Sequence, residues 1–245
     1  MLVVGGGILG LCVAWAAAEG GSRSVALLEG STIGNPQGSS TGDARMRVLA
    51  AYPDDGYVQR GLVAGEDWRA AEQAFGRPLM QTTGCLSWGV GEEALLDGLR
   101  RHDLPHEIWQ QREVDRTYPG IHLPGGKAAI HQRDGAIIHA GRALAAFAGF
   151  ASGRGATIQE GIAAAAIQLS EQFVEVRTVQ GTWLAEQLVV CAGPWAHRLL
   201  LEVGISLPVT TTSQTVCYFP LSTSLPPPGM IEYAPDTGRR AAALL

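Results

Sequence analysis

Two spacings of apolar residues alternate along this chain, and the changes between them mark its elements. Residues 2–4, Leu-Val-Val, are an apolar run too short for a helix and read as a strand. Residues 11–19 have helical spacing, and residues 24–28 read as a second buried strand. Residues 30–42 break the pattern with Gly, Ser, Thr and Asn, which marks a long loop. A helix is predicted over residues 57–75, where Leu62, Val63, Trp68, Ala71 and Phe75 share one stripe. A strand over residues 83–89, a Leu-rich helix over 92–102, a turn at 118–121 and a strand over 127–132 follow. Asp134-Gly135 is a tight turn, and the Ala-rich residues 138–154 have helical spacing that ends at Gly155-Ala156. A strand begins at Thr157, residues 163–169 and 173–179 read as a strand pair, and 182–190 read as one further strand. A short helix over 196–203 and a strand-like stretch over 210–219 precede Pro226-Pro227-Pro228. Strands alternating with helices predict an α/β fold.

Composition narrows the function classes. The 245 residues suit one large domain or two intimate ones, and 46% hydrophobic against 17% charged residues excludes a disordered chain. A net charge of −5 provides no basic field, so neither nucleic acid nor a membrane surface is expected as a partner. No apolar stretch is long enough to span a bilayer. Cys12, Cys85, Cys191 and Cys217 are scattered, with no CxxC pair, and read as thiols of a reducing, cytoplasmic setting; Cys12 and Cys191 are expected to be buried. The six histidines show no HExxH spacing, so no metal site is expected.

Candidate chemistry concentrates in the first 29 residues. A strand leads into Gly5-x-Gly7-x-x-Gly10, then a helix, a second strand and Glu29, the order of a βαβ dinucleotide-binding unit. Gly5 permits the tight turn, Gly7 lets a pyrophosphate approach the backbone, and Gly10 lets the helix pack close. The helix N-terminus offers unpaired N–H groups to phosphate oxygens. Glu29 is placed to accept hydrogen bonds from both ribose hydroxyls and to repel a 2′-phosphate. A signal peptide is excluded, because no Lys or Arg precedes the apolar run and three glycines break it. The strand starting directly at Met1 reads as a clipped or mis-assigned beginning. Ala192 and Gly193 follow an apolar strand and are expected at the carboxyl edge of a sheet, where ligands bind in such folds. Trp195 reads equally as a core residue or a site residue.

Seven segments together resemble the FAD-dependent amine oxidases that include monomeric sarcosine oxidase and N-methyltryptophan oxidase, within the D-amino-acid-oxidase-like superfamily. They are Gly5–Gly10, Leu27-Leu28-Glu29, Gly38-Ser39-Ser40-Thr41-Gly42-Asp43-Ala44-Arg45, Thr83-Gly84-Cys85-Leu86, Tyr118-Pro119-Gly120-Ile121, Asp134-Gly135-Ala136-Ile137 and Ala192-Gly193-Pro194-Trp195. The resemblance implies a Rossmann-like FAD-binding domain with an interleaved, mixed-sheet substrate domain, left incomplete by a missing C-terminal portion. Residues 1–80 and 134–205 would form the FAD-binding domain, and 81–133 and 206–245 the substrate domain. FAD would lie on Gly5, Gly7, Ile8, Leu9 and Gly10, with Glu29 on the ribose. Ser39, Ser40, Thr41 and Arg45 would lie near the pyrophosphate and flavin, Ile162 behind the adenine, and Ala192, Gly193 and Trp195 along the cofactor. Arg45 would be the catalytic residue, its cation favouring the reduced flavin.

Three departures accompany the resemblance. Val48 stands where the family has a second, carboxylate-holding arginine, and Arg47 is one step away, on the opposite face of a strand. The family's oxygen-activating lysine and its flavin-linking cysteine both belong to segments this chain lacks. The implied activity is oxidation of a C–N bond of an amine or N-substituted amino acid, by hydride transfer to flavin with O2 as reoxidant. A non-catalytic FAD-binding remnant, or half of a split enzyme completed by a partner chain, is the first alternative. An NAD-dependent dehydrogenase is the second.

Overall fold

The computed structural model describes residues 1–35, 44–47, 55–212, 227–233 and 240–243, with backbone alone for 44–47 and 240–243. In chain order the elements are β1 (Leu2–Val4), α1 (Ile8–Glu19), β2 (Ala26–Leu28), β3 (Ala44–Arg47), α2 (Asp55–Phe75), β4 (Met80–Thr82), β5 (Cys85–Gly89) and α3 (Glu92–Arg101). They continue with β6 (Glu107–Trp109), α4 (Gln111–Thr117), β7 (Ala129–Gln132), β8 (Ala136–His139), α5 (Ala140–Gly153), β9 (Thr157–Gln159) and β10 (Ala164–Leu169). The last are β11 (Val174–Thr178), β12 (Gly181–Ala185), β13 (Leu188–Val190), α6 (Ala196–Leu201), β14 (Gly229–Tyr233) and β15 (Arg240–Ala243).

The chain divides into two compact units, Met1–Asp43 with Ala140–Thr215, and Ala44–His139 with Val216–Leu245. In the first unit a parallel sheet has the order β13-β1-β2-β9. Strand alternation turns Leu2, Val4 and Leu28 to one face, and Val3 and Leu27 to the other. The first set joins Ile162, Ile167, Val176 and Leu199 in a core shared with the antiparallel sheet β10-β11-β12 and α6. Helix α1 packs on β1, β2 and α5, where Trp15 meets Phe147 edge-on at 5.5 Å.

The second unit holds a mixed five-stranded sheet, β15-β14-β5-β7-β6, and a three-stranded antiparallel sheet, β3-β8-β4. Opposite faces of the five-stranded sheet bury different sets. Ile130 packs with Val58, Leu95 and Leu99 of α2 and α3, while Leu86, Trp88 and Ala129 pack with Val114 of α4 and Leu123. Helix α4 is only seven residues long, and its Glu113 carboxylate accepts the Gln110 N–H that would otherwise be left open at its start.

The mixed α/β architecture is the expected one, and the element boundaries differ from expectation at several places. Helix α1 starts at Ile8, three residues earlier than its pattern suggests, with Gly7 as its extended N-cap. Ile138 and His139 belong to strand β8, because β3 and β4 pair with it from both sides and override the helical spacing there. Residues 182–190 are two strands in two different sheets: exposed Glu186 and Gln187 form the bend between β12 and β13. Residues 210–212 are not in a strand, and the remainder of that expected strand lies outside the described residues. Among the described residues no helix is long and apolar enough to cross a membrane.

Candidate cofactor site at the first strand ends

Gly5 stands where three strand ends meet. Its N–H donates to the Leu28 carbonyl at 2.8 Å, and the Cys191 N–H donates to the Val4 carbonyl at 2.7 Å. Gly5 has a φ of +108°, and a Cβ there would lie 2.3 Å from the Cys191 carbonyl oxygen. Only glycine meets both demands. At Gly10 a Cβ would lie 1.8 Å from the carbonyl oxygen of Gly5. The glycine at position 10 is therefore what lets α1 rest directly on the turn.

The N-terminus of α1 has no side-chain cap and no acidic residue in its first turn. The Leu11 N–H donates to the Gly7 carbonyl at 3.0 Å and so begins the i to i−4 ladder. The N–H groups of Ile8, Leu9 and Gly10 precede it and have no intrahelical acceptor, and Leu9 is 71% exposed. Such an end, with no acid in its own first turn, is suited to a phosphate.

Glu29 follows β2 and lies against the same turn. Its Oε2 accepts the Gly6 N–H at 2.7 Å, and its Oε1 accepts the Ser31 N–H at 2.8 Å. A Cβ on Gly6 would come within 2.9 Å of the Glu29 Cβ, so the middle glycine of the turn makes room for the acid. The carboxylate keeps lone pairs for further donors, as a ribose diol requires. Uncapped helix end, glycine turn and acid together fit the diphosphate and ribose of a dinucleotide.

The other expected site residues are placed as follows. Ile162 is buried, and its N–H donates to the Glu29 carbonyl at 2.8 Å. Ala192 and Gly193 follow β13, beside β1, and Trp195 is 51% exposed, which removes the core reading of that residue. Arg45 is on β3, opposite Ile138, in the second unit. Ser39, Ser40, Thr41 and Val48 lie outside the described residues, as does Cys217. Cys12 and Cys191 are partly rather than fully buried. Burial, aided by Cys191, pushes the Cys12 thiol up to about 11, and burial raises Cys191 as well, so neither is primed as a nucleophile. Among the described residues no cluster of His, Cys, Asp and Glu could hold a metal.

Three motif segments that lie apart in sequence meet in the second unit. The N–H groups of Thr83 and Gly84 both donate to the Gly135 carbonyl, at 3.1 and 2.9 Å. The Tyr118 hydroxyl donates to the Thr83 carbonyl at 2.9 Å. A Cβ on Gly84 would lie 2.7 Å from that hydroxyl and 3.0 Å from His131 Nε2, and one on Gly135 would lie 2.5 Å from the Cys85 Cβ. His131 stacks on Trp109 at 3.7 Å. This knot is structural: it joins β5, β7 and the turn before β8. Sequence reasoning missed His131, whose partners are 13 and 22 residues away along the chain.

A family model described as FAD dependent oxidoreductase matches residues 1–241. The chain belongs to that family. The family's cofactor is FAD, in keeping with the fit of the turn to a dinucleotide. Peroxisomal sarcosine oxidase of Mus musculus is 31% identical over 222 residues, which cover 89% of this chain and 56% of that protein. Monomeric sarcosine oxidase of Arthrobacter sp. (strain TE1826) is 25% identical over 224 residues, covering 89% and 57%. Among solved structures, the open form of a Tyr258Phe mutant of NikD, an unusual amino acid oxidase essential for nikkomycin biosynthesis, matches with a TM-score of 0.79. That match is 26% identical and covers 97% of this chain and 62% of NikD. The chain thus spans little more than half the length of the curated relatives it matches. Neither the remnant nor the NAD-dependent dehydrogenase is favoured by these matches.

Proposed function

We propose that this chain carries the dinucleotide-binding part of an FAD-dependent oxidase acting on a C–N bond of an amine or N-substituted amino acid. The observation that carries the reading is Glu29, whose carboxylate is fastened to Gly6 of a glycine turn that opens into an uncapped helix. When bound, FAD supplies the two-electron acceptor and dioxygen the terminal oxidant.

The chain's own residues bind and orient. The N–H groups of Ile8, Leu9 and Gly10 would meet the diphosphate, Gly7 would leave room for its approach, and Glu29 would take the ribose hydroxyls. Ile162, buried directly behind Glu29, would back the adenine. Ala192, Gly193 and Trp195, beyond the neighbouring strand, would border the same edge. Ser39, Ser40, Thr41 and Arg45 complete the reading by resemblance, with Arg45 as the cation that favours a reduced, anionic flavin. Substrates named for relatives point to sarcosine and other small N-substituted amino acids, while Val48 in place of a carboxylate-binding arginine leaves room for amines without a carboxylate. The free thiols of Cys12 and Cys191 suit a reducing compartment such as the cytoplasm.

The test is the visible spectrum of the purified chain, with and without added FAD, followed by peroxide release from an amine panel. A resolved flavin spectrum that survives desalting supports the cofactor reading, and peroxide supports the activity. A chain that stays colourless with FAD but binds NADH overturns it.

A further inference from the structure

We propose that Glu160 is a positioning residue for the cofactor site, holding in place the loop on which Glu29 depends; the inference rests on the FAD reading of that site. The loop runs from Glu29 to Asn35 and is zipped to the chain leaving β9. The Glu29 N–H donates to the Gln159 carbonyl, the Ile162 N–H to the Glu29 carbonyl, and the Gly161 N–H to the Ser31 carbonyl, each at 2.8 Å. After Ser31 the backbone pairing stops. There the Glu160 carboxylate takes over and accepts the Ile33 N–H.

Two carboxylates therefore grip one loop two residues apart. Glu29 holds the Ser31 N–H at 2.8 Å, and Glu160 holds the Ile33 N–H. Asn35 Nδ2 closes the turn onto Ser31 Oγ at 2.6 Å. Among the described residues no Lys, Arg or His forms an ion pair with either acid, so backbone N–H groups are what satisfies them. Removing the Glu160 acceptor frees Ile33, and Ser31 then holds Glu29 Oε1 less firmly. Glu29 would lose its fixed direction while keeping its charge. Glu160 bonds to the Ile33 N–H and acts through the loop.

The experiment compares the parent chain with E160A and E160Q. Gln keeps an oxygen that can accept from Ile33 and loses only the charge, so it separates the hydrogen bond from the field. The readouts are the FAD dissociation constant by flavin fluorescence, hydrogen exchange of the Ile33 and Ser31 amides, and the melting curve. A charge-assisted hydrogen bond at a loop corresponds to about a tenfold change in exchange or affinity. The expected result is about tenfold faster Ile33 exchange and about tenfold weaker FAD for E160A, with E160Q close to the parent and melting unchanged. Unchanged Ile33 exchange in E160A, unchanged FAD affinity in E160A, or equal weakening in both variants would each overturn the proposal. A parent chain that binds no FAD overturns the cofactor reading and with it any bearing of Glu160 on FAD. A parent that binds normally beside an unaffected E160A overturns the Glu160 proposal alone.

Discussion

Gly10 lies so close to Gly5 that a Cβ at position 10 would be 1.8 Å from the Gly5 carbonyl oxygen. Both partners are backbone, so neither has a rotamer through which to escape. Gly10→Ala must push α1 off the turn and away from β1 and β2, where Leu11 and Ala14 are buried. Overpacking of this kind costs about 1–3 kcal/mol where side chains can adjust, and more where they cannot. The expected outcome is a loss of at least about 3 kcal/mol in denaturant unfolding of the first unit, together with loss of FAD retention. An unchanged unfolding midpoint would show that the turn has freedom absent from this structure.

Glu29 makes an unusual demand on its replacement. Both of its oxygens accept backbone N–H groups, from Gly6 and Ser31. Glutamine offers one oxygen and one NH2, so one of the two N–H donors would face another donor. Glu29→Gln should therefore behave almost like Glu29→Ala, each weakening FAD by about tenfold or more, as loss of a charge-assisted bond implies. Titration of flavin fluorescence checks it, and a Gln variant with parental affinity would mean that the ribose, not the turn, determines what the acid must be.

Gly84 and Tyr118 form a test of the knot in the second unit. Gly84 has a φ of +76°, and its missing Cβ would sit 2.7 Å from the Tyr118 hydroxyl. Gly84→Ala should cost about 1–3 kcal/mol, part from backbone strain and part from the displaced hydroxyl. Tyr118→Phe loses the hydrogen bond to the Thr83 carbonyl, about 1 kcal/mol. In the double variant the clash with the hydroxyl vanishes while the strain and the His131 contact remain, so the combined loss should be smaller than the sum. Additive losses in urea unfolding would show that the hydroxyl moves aside freely.

The parts of the fold legible in sequence are those set by local backbone demands. Gly5, Gly10 and Glu29 announce the turn because each answers a steric or hydrogen-bonding requirement of the turn itself: the positive φ of Gly5, the contact of Gly10 with the Gly5 carbonyl, and the bond from the Gly6 N–H to Glu29. The bend at Glu186-Gln187 was not legible, since Trp183, Leu184, Leu188 and Val189 form one apolar run on either side of it. What divides them is that β13 pairs with β1, where Leu188 stands opposite Leu2 from the other end of the unit's sequence. Strands β4 and β6, three residues each, carry too little pattern to register at all. Trp195 was ambiguous for a different reason: a large aromatic after a strand fits a core and a site equally, and only its exposure separates them.

His131 provides the last prediction, a dependence of stability on pH. It is 7% exposed, stacks on Trp109, and its Nδ1 has no hydrogen-bond partner among the described residues. Burial lowers its pKa from 6.5; Glu107 opposes the shift and Arg133 adds to it. The folded chain thus takes up this proton less readily than the unfolded chain, which binds more protons in the interval between the two pKa values. Stability is full above the unfolded value of 6.5 and falls as pH drops towards the lowered folded value. Glu113, whose pKa is lowered chiefly by its hydrogen bond from Arg112, acts in a separate window at more acid pH, below 4.5. Melting curves from pH 6.5 down to 4.5 follow the histidine apart from that carboxylate. His131→Phe, which keeps a ring against Trp109 but cannot protonate, should flatten the decline in melting temperature below 6.5. An equal decline in the variant would assign the pH dependence to another group.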